Sequence, residues 1–260
     1  MNTPVDTCRA CGAQSAYLQS GIVLDLEVSY FECPVCGYVQ TEAPHWLDRA
    51  YVEAINSSDT GILARNQINA RLVLATLLAL RRLDGTVVDC AGGYGFLVRM
   101  LRDYGVNALW SDPFSENLVA RGFEHKAESA ELVTAFEAFE HFERPAEELD
   151  KLLRIAPSVL LSTEIIADPA PRHGDWWYYG KEHGQHIGFF RVRTLERLAH
   201  ARHKRLLSNG TTYHLITDQP VNRAVWRAAT RANKLLPLLL RRRLESRTWS
   251  DHVLMAGHKR

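Results

Sequence analysis

The sequence predicts an α/β fold, a parallel sheet covered by helices on both faces, with a small cysteine-rich module at the N-terminus. Two observations carry this. Between residues 86 and 163, short β-branched or apolar runs alternate with stretches of helical apolar spacing, the pattern of strands joined by crossover helices. Four of the five cysteines stand in two close pairs near the start of the chain, a spacing that suits a metal better than a disulfide framework. With 260 residues, 46% of them hydrophobic, the chain buries one sizeable core and leaves a few dozen residues for an appendage.

The elements follow in order. Pro44 marks a break before an amphipathic stretch from Trp46 to Asn56, which places a boundary between a module at 1–44 and a main domain at 45–260. Residues 62–83 have helical spacing and end at the turn signal Asp84-Gly85. Thr86 to Asp89 reads as a strand that runs into a glycine-rich turn. A helix at 97–104, strands at 106–111 and 131–136, a helix at 145–155 and a strand at 157–163 are expected next. A long polar and aromatic segment, 168–190, interrupts the alternation before a helix at 194–203 and a strand at 204–216. A basic helix at 221–245 and a strand at 249–257 are expected to close the chain.

Composition bounds the function. The 31 basic residues almost balance the 30 acidic ones, so the molecule as a whole has no general attraction for polyanions, and nucleic acid is not the expected partner. The N-terminus has no apolar core of a signal peptide, and the longest largely apolar run, Leu72 to Leu80, falls short of the roughly 20 residues of a membrane helix. A soluble cytoplasmic protein is expected.

Residues 87–97, VVDCAGGYGFL, form a buried strand, a glycine-rich turn and the start of a helix. In such a unit the backbone approaches a ligand closely, and an acidic residue ending the next strand bonds ribose hydroxyls. Asp112, in LWSDPF, stands at that place. The stretch resembles the first motif of class I S-adenosylmethionine (SAM)-dependent methyltransferases, a Rossmann-like family, through Asp89, Gly93 and Gly95, with Ala91 where that family has its first glycine. The resemblance implies that the turn passes the amino-acid part of SAM, that Asp112 holds the ribose, and that Pro113 and Phe114 lie near adenine. From the fingerprint alone, an NAD-type protein and a fold without cofactor remain the alternatives.

The segment 131–142, ELVTAFEAFEHF, puts Glu137, Glu140 and His141 at i, i+3 and i+4. A helical chain there would bring all three to one face. The pattern is similar to that of small-RNA 2′-O-methyltransferases and ubiquinone-biosynthesis O-methyltransferases. The likeness implies a divalent metal held by both glutamates, the histidine and a later histidine, here His186, with His183 in reserve. Two carboxylates and two imidazoles suit Mn, Fe, Co or Zn, or Mg with added water. The alternative is a solvated acidic turn and a histidine packed on Phe189 or Phe190.

The segment 168–190 should line the ligand crevice, as loops after strand carboxyl ends do. Trp176, Trp177, Tyr178 and Tyr179 offer faces that stack on sugars, phenols or bases, although two of them are expected to fill a secondary core. His183 or Glu182 is the candidate general base if no metal activates the acceptor. The insertion resembles one in methyltransferases of bacterial polysaccharide and glycan pathways, which often also carry an N-terminal zinc module.

Cys8-x-x-Cys11-Gly12 and Cys33-x-x-Cys36-Gly37 form two knuckle-like turns, expected to hold a structural Zn, with rubredoxin-like iron as the alternative. Cys90 reads as a small buried hydrophobe. In the basic stretch Arg223, Arg227, Arg231 and Lys234 stand opposite Ala224, Ala228, Ala232, Leu235 and Leu239, either a solvated face or a peripheral contact with membrane or a lipid-linked substrate. The resulting expectation is metal-assisted O-methylation of a sugar hydroxyl. The alternatives are a phenol, an RNA 2′-hydroxyl, or a non-catalytic zinc-ribbon binding protein on the same fold.

Overall fold

A computed structural model describes residues 5–51 and 60–257. The N-terminal strands are β1 (Val5–Thr7), β2 (Gln14–Val23), β3 (Leu26–Glu32) and β4 (Val39–Thr41). Helices α1 (Leu47–Ala50) and α2 (Ile62–Leu80) lead to β5 (Thr86–Cys90), α3 (Phe96–Asp103), β6 (Asn107–Ser111) and β7 (Leu132–Phe136). After a 3-10 turn at Phe139–His141 come α4 (Pro145–Ile155), β8 (Ser158–Ser162), β9 (Gly188–Phe189) and α5 (Val192–His200). The chain ends with β10 (Arg205–Ser208), β11 (Tyr213–Thr217), α6 (Arg223–Arg231), α7 (Leu236–Leu240) and α8 (Thr248–Ala256).

Two sheets result, one in the order β1-β2-β3-β4-β9 and one in the order β10-β11-β8-β7-β5-β6. The first is antiparallel throughout. In the second, β5 lies parallel to both β6 and β7, and β10 runs antiparallel to β11. Strands β7 and β8 are buried at every residue, as expected where helices cover both faces of a sheet.

Two compact units divide the chain. One comprises Met1–Asn56, Phe136–Lys151 and Leu161–Asp218; the other comprises Ser57–Ala135, Leu152–Leu160 and Gln219–Arg260. This cut differs from the expected one at residue 44, because β4 pairs with β9 and draws the end of the aromatic insertion into the N-terminal sheet. The first unit packs Val28, Tyr30, Trp46, Tyr178, Tyr179 and Phe189 into one cluster, and the Trp46 indole donates to the Gly184 carbonyl at 2.8 Å. The second is built on α2, whose Leu72, Val73, Leu74 and Leu77 are buried along with Val87, Val88, Leu97, Val98 and Leu101.

Most expected elements appear within three residues of their predicted bounds, but two expected strands and the basic helix do not. The strand expected at 204–216 is a hairpin, turned at Asn209, whose side-chain oxygen accepts from the amides of Thr211, Thr212 and Tyr213. The strand expected at 249–257 is helix α8: TWSDHVLMA has no strict alternation, and a short apolar run does not distinguish strand from helix. The basic stretch 221–245 is broken into α6, a 3-10 turn at Asn233–Leu235 and α7, with Pro237 in the first turn of α7, where its missing N–H costs nothing. Its buried residues are Val221, Trp226, Leu236 and Leu240, whereas Leu235 and Leu239 are exposed. Of the amphipathic stretch at 46–56, Leu47–Ala50 is helical and residues 52–56 lie outside the described residues. Among the described residues no helix is long and apolar enough to cross a membrane.

Candidate functional site

The glycine turn lies wholly in the second unit. Asp89, near the end of β5, is buried and accepts a 2.6 Å hydrogen bond from the Thr134 hydroxyl. Burial pushes its carboxyl up to about 7, with Thr134 pulling down and the Asp112 charge pushing up. The turn then takes Ala91, Gly93 and Gly95 through left-handed conformations, φ +64°, +51° and +90°. A Cβ on Gly95 would stand 2.9 Å from the Ala120 methyl, whereas one on Gly93 would meet nothing within 4 Å; the backbone at Gly93 is open to a ligand.

Asp112 clamps this turn. One carboxylate oxygen accepts from the Gly93 amide at 2.9 Å, and the other from the amides of Phe114 and Ser115 at 2.8 and 3.0 Å. The oxygen that accepts from Gly93 keeps a lone pair for a further donor. Trp110, which the sequence did not single out, donates its indole N–H to the Gly93 carbonyl at 2.8 Å. Pro113 and Phe114 are exposed, Phe114 by 89%.

The acidic and imidazole cluster lies wholly in the first unit. Glu140, His141 and His186 bring their ligand atoms within 4.8 Å of one another. Glu140 is fully buried; one oxygen accepts from the Tyr178 hydroxyl at 2.6 Å, and the other has no hydrogen-bond partner. The His186 Nδ1 meets the Tyr178 carbonyl at 2.6 Å and the His141 Nδ1 meets the Gln185 carbonyl at 3.1 Å. A carbonyl only accepts, so Nδ1–H donates in both rings and each Nε2 keeps a lone pair.

Burial, and then the Glu137 charge, push the Glu140 carboxyl up to about 8 against the Tyr178 hydrogen bond. Burial holds His141 down at about 4 and His186 well below its ordinary range. Both imidazoles are therefore neutral, and among the described residues no cation pairs with the buried Glu140 carboxyl. This donor set, with an oxygen left unpartnered, fits a divalent ion.

Glu137, the fourth expected ligand, stands outside that group. It follows β7 with φ +49°, and its carboxylate accepts from the Ser162 hydroxyl at 2.5 Å. A left-handed residue followed by a single 3-10 turn does not continue a helical face, so the i, i+3, i+4 spacing does not align all three side chains. Sequence reasoning missed the supports of the cluster: the Tyr178 hydroxyl, Ser162, and Tyr51, whose hydroxyl is 2.9 Å from the His141 Nδ1.

The two expected bases differ. Glu182 is exposed and stands beside Lys181, at 3.9 Å. His183 lies with its ring centre 4.8 Å from that of His186, and its Nδ1 accepts from the Gln185 amide, so its Nε2 carries the hydrogen. Of the four aromatics, Tyr178 and Tyr179 are core, Trp176 is partly buried against that core, and Trp177 is 75% exposed.

In the cysteine module the sulfurs of Cys8 and Cys36, and of Cys11 and Cys33, are 3.6 Å apart, and all four are free thiols within one cluster. That separation matches the roughly 3.8 Å edge of a tetrahedron with Zn–S bonds of about 2.3 Å. The four cysteines thus form a site suited to Zn.

The family described as a methyltransferase domain matches residues 64–207. The chain belongs to that family. With the Asp89–Gly95 turn and Asp112 in place, it is a SAM-dependent methyltransferase of the class I α/β fold. No curated protein matches this methyltransferase in sequence. Among solved structures it is similar to the 1,6-didemethyltoxoflavin-N1-methyltransferase of Burkholderia thailandensis, solved with 1,6-didemethyltoxoflavin and S-adenosylhomocysteine (15% identity, 77% of this chain and 100% of that chain, TM-score 0.47). It is also similar to SAM-bound magnesium protoporphyrin IX methyltransferase (ChlM) from Synechocystis PCC 6803 (16% identity, 65% and 87%, TM-score 0.40). A third is CalO1, a methyltransferase in calicheamicin biosynthesis (17% identity, 58% and 54%, TM-score 0.41). The methyltransferase spans about half, 54%, of the CalO1 chain.

Proposed function

We propose that this methyltransferase O-methylates a sugar hydroxyl of a nucleotide-linked, lipid-linked or polymeric glycan, with a divalent ion on the acceptor side. The observation that carries the metal part is the buried, unpartnered oxygen of Glu140 beside two neutral imidazoles whose Nδ1–H groups are tied to carbonyls. Glu140, His141 and His186 would hold the ion, with Glu137 as the nearby second carboxylate. Bound there, a divalent ion supplies Lewis acidity that lowers the pKa of a hydroxyl. The acceptor oxygen bonds the methyl carbon as the carbon–sulfur bond breaks, the hydroxyl proton passes to solvent water, and S-adenosylhomocysteine is the other product.

The chain's own residues have separate tasks in this reading. The turn at Ala91 to Gly95 lies along the amino-acid part of SAM, Asp112 accepts from the ribose hydroxyls, and Pro113 and Phe114 flank adenine. Residues 1–44 carry a structural Zn at Cys8, Cys11, Cys33 and Cys36, apart from the chemistry. His183, with its hydrogen on Nε2, is a donor rather than a base, and exposed Glu182 is poorly placed to hold a proton at a defined atom. The exposed face of Trp177 suits stacking on a sugar ring. The sugar acceptor itself rests on the likeness of the 168–190 insertion to those of glycan-pathway enzymes.

The test is a labelled-methyl transfer screen over nucleotide sugars, glycans, phenols and RNA, with and without chelator. Transfer to a sugar is expected, abolished by chelation while SAM affinity is unchanged. His141→Ala should lower turnover by at least about 100-fold, beyond the loss typical of groups that merely orient a ligand. Full activity after exhaustive chelation, with zinc retained in the cysteine module, overturns the metal; transfer to phenols or RNA alone overturns the sugar.

A further inference from the structure

Residues 219–244 hold seven of the chain's 31 basic residues and none of its 30 acidic ones, so a molecule almost neutral overall is strongly polarised. The cations are Arg223, Arg227, Arg231, Lys234 and Arg241 to Arg243, and all are exposed. Arg227, Arg231, Lys234 and Arg241 to Arg243 have no ion-pair partner among the described residues.

The orientation of this segment is fixed from inside. Trp226 is fully buried and directs its indole N–H to the Thr76 hydroxyl at 3.3 Å, and Leu236 and Leu240 are also buried. Asn233 accepts from Arg71 on α2 at 3.2 Å. With these residues inward, Leu235, Leu238 and Leu239 are left 59–69% exposed next to the cations, and Val225 is 49% exposed. The same mixture continues into a cleft of about 350 Å³ lined by Leu78, Leu83, Leu244, Arg81 and Arg243, with Asp84.

Solvation alone explains exposed arginines, but not leucines clustered among them. An aliphatic ridge flanked by cations matches the boundary of an anionic bilayer, where leucines enter the acyl region and arginines meet lipid phosphates. We propose that residues 223–243 form an interfacial contact with an anionic lipid surface. A polyanion in water, such as RNA, would use the arginines and leave the leucines without a role.

Co-sedimentation of the full chain with vesicles tests this. Vesicles of phosphatidylglycerol and phosphatidylcholine should bind at least about tenfold more protein than phosphatidylcholine alone, and binding should weaken as salt shortens the screening length. Replacing two of the three exposed leucines, Leu238→Ser and Leu239→Ser, should cost about tenfold or more in vesicle affinity. Arg241→Gln, Arg242→Gln and Arg243→Gln together should abolish the preference for anionic vesicles. All five positions are exposed, and unchanged SAM affinity and thermal midpoint confirm that the variants are folded. Equal binding to neutral vesicles overturns the proposal. So does vesicle binding by the leucine variant equal to that of wild type, with an RNA oligonucleotide held as tightly as the anionic vesicles, an outcome that would reassign the patch to nucleic acid.

Discussion

Ala91 holds a left-handed conformation, φ +64°, at the place where related turns carry glycine, and a Cβ there costs roughly 1–2 kcal/mol against the following carbonyl. Ala91→Gly should therefore stabilise the protein by about 0.5–1 kcal/mol after the extra freedom of glycine in the unfolded chain is subtracted. SAM affinity should be kept, and a lower denaturation midpoint would reject the strain. Asp89 poses an electrostatic problem instead. Its folded carboxyl holds a proton to about 7, against an ordinary 3.8, so between those values the folded state binds more protons than the unfolded one. Stability from this group is complete at low pH and is lost as pH rises through about 7, at about 1.4 kcal/mol for each unit of difference. Asp89→Asn keeps the acceptor for Thr134 and removes the titration. Its thermal midpoint relative to wild type should rise from pH 4 to pH 8, and a difference independent of pH would contradict the burial argument.

At the scale of elements, β5, the glycine turn, α3 and β6 were legible because buried β-branched runs, glycine punctuation and the acid after β6 all act locally. The cysteine knuckles were legible for the same reason. Cys33→Ser should release the zinc and lower the thermal midpoint, because so small a unit depends on its ion for folding; elemental analysis with a melting curve checks both, and a stable zinc-free protein rejects the site. The metal cluster was only partly legible. His186, Glu140 and His141 come together, but the helical spacing that suggested Glu137 fails at its left-handed backbone. The role of Tyr178, some 38 residues from Glu140, has no local sequence signal. Helix α8 was misread because its burial is set by one polar residue: Asp251 bonds the Arg102 guanidinium at 2.7 Å and also Arg99, while Trp249, Leu254 and Met255 are exposed. A hydrophobic pattern cannot report an element held by an ion-paired acid.

For the whole molecule, periodicity reveals elements but not which distant ones pair: the β4–β9 ladder joins two of the first unit's three stretches of chain, and the Ile187 amide, donating to the Glu140 carbonyl, ties in the third. Each unit nevertheless contains its own candidate ligand site complete, the SAM turn in the second and the cysteine cluster in the first. Linkage makes this testable, since a ligand stabilises the structure that binds it, by about 2.7 kcal/mol at a free concentration 100 times Kd. Under hydrogen–deuterium exchange, saturating SAM should slow amides in β5, the following turn and β6, where Asp89, Gly93 and Asp112 lie. Zinc extraction should instead speed exchange in β2, β3 and β4, and in β9 through its ladder with β4. The two responses come from different ligands and should map to different peptides. Protection by SAM confined to β1–β4, with β5 and β6 unaffected, would place the cofactor in the wrong unit for the turn assignment to stand. Slowed exchange at β5–β6 with unchanged β1–β4 would place it where the glycine turn and Asp112 are.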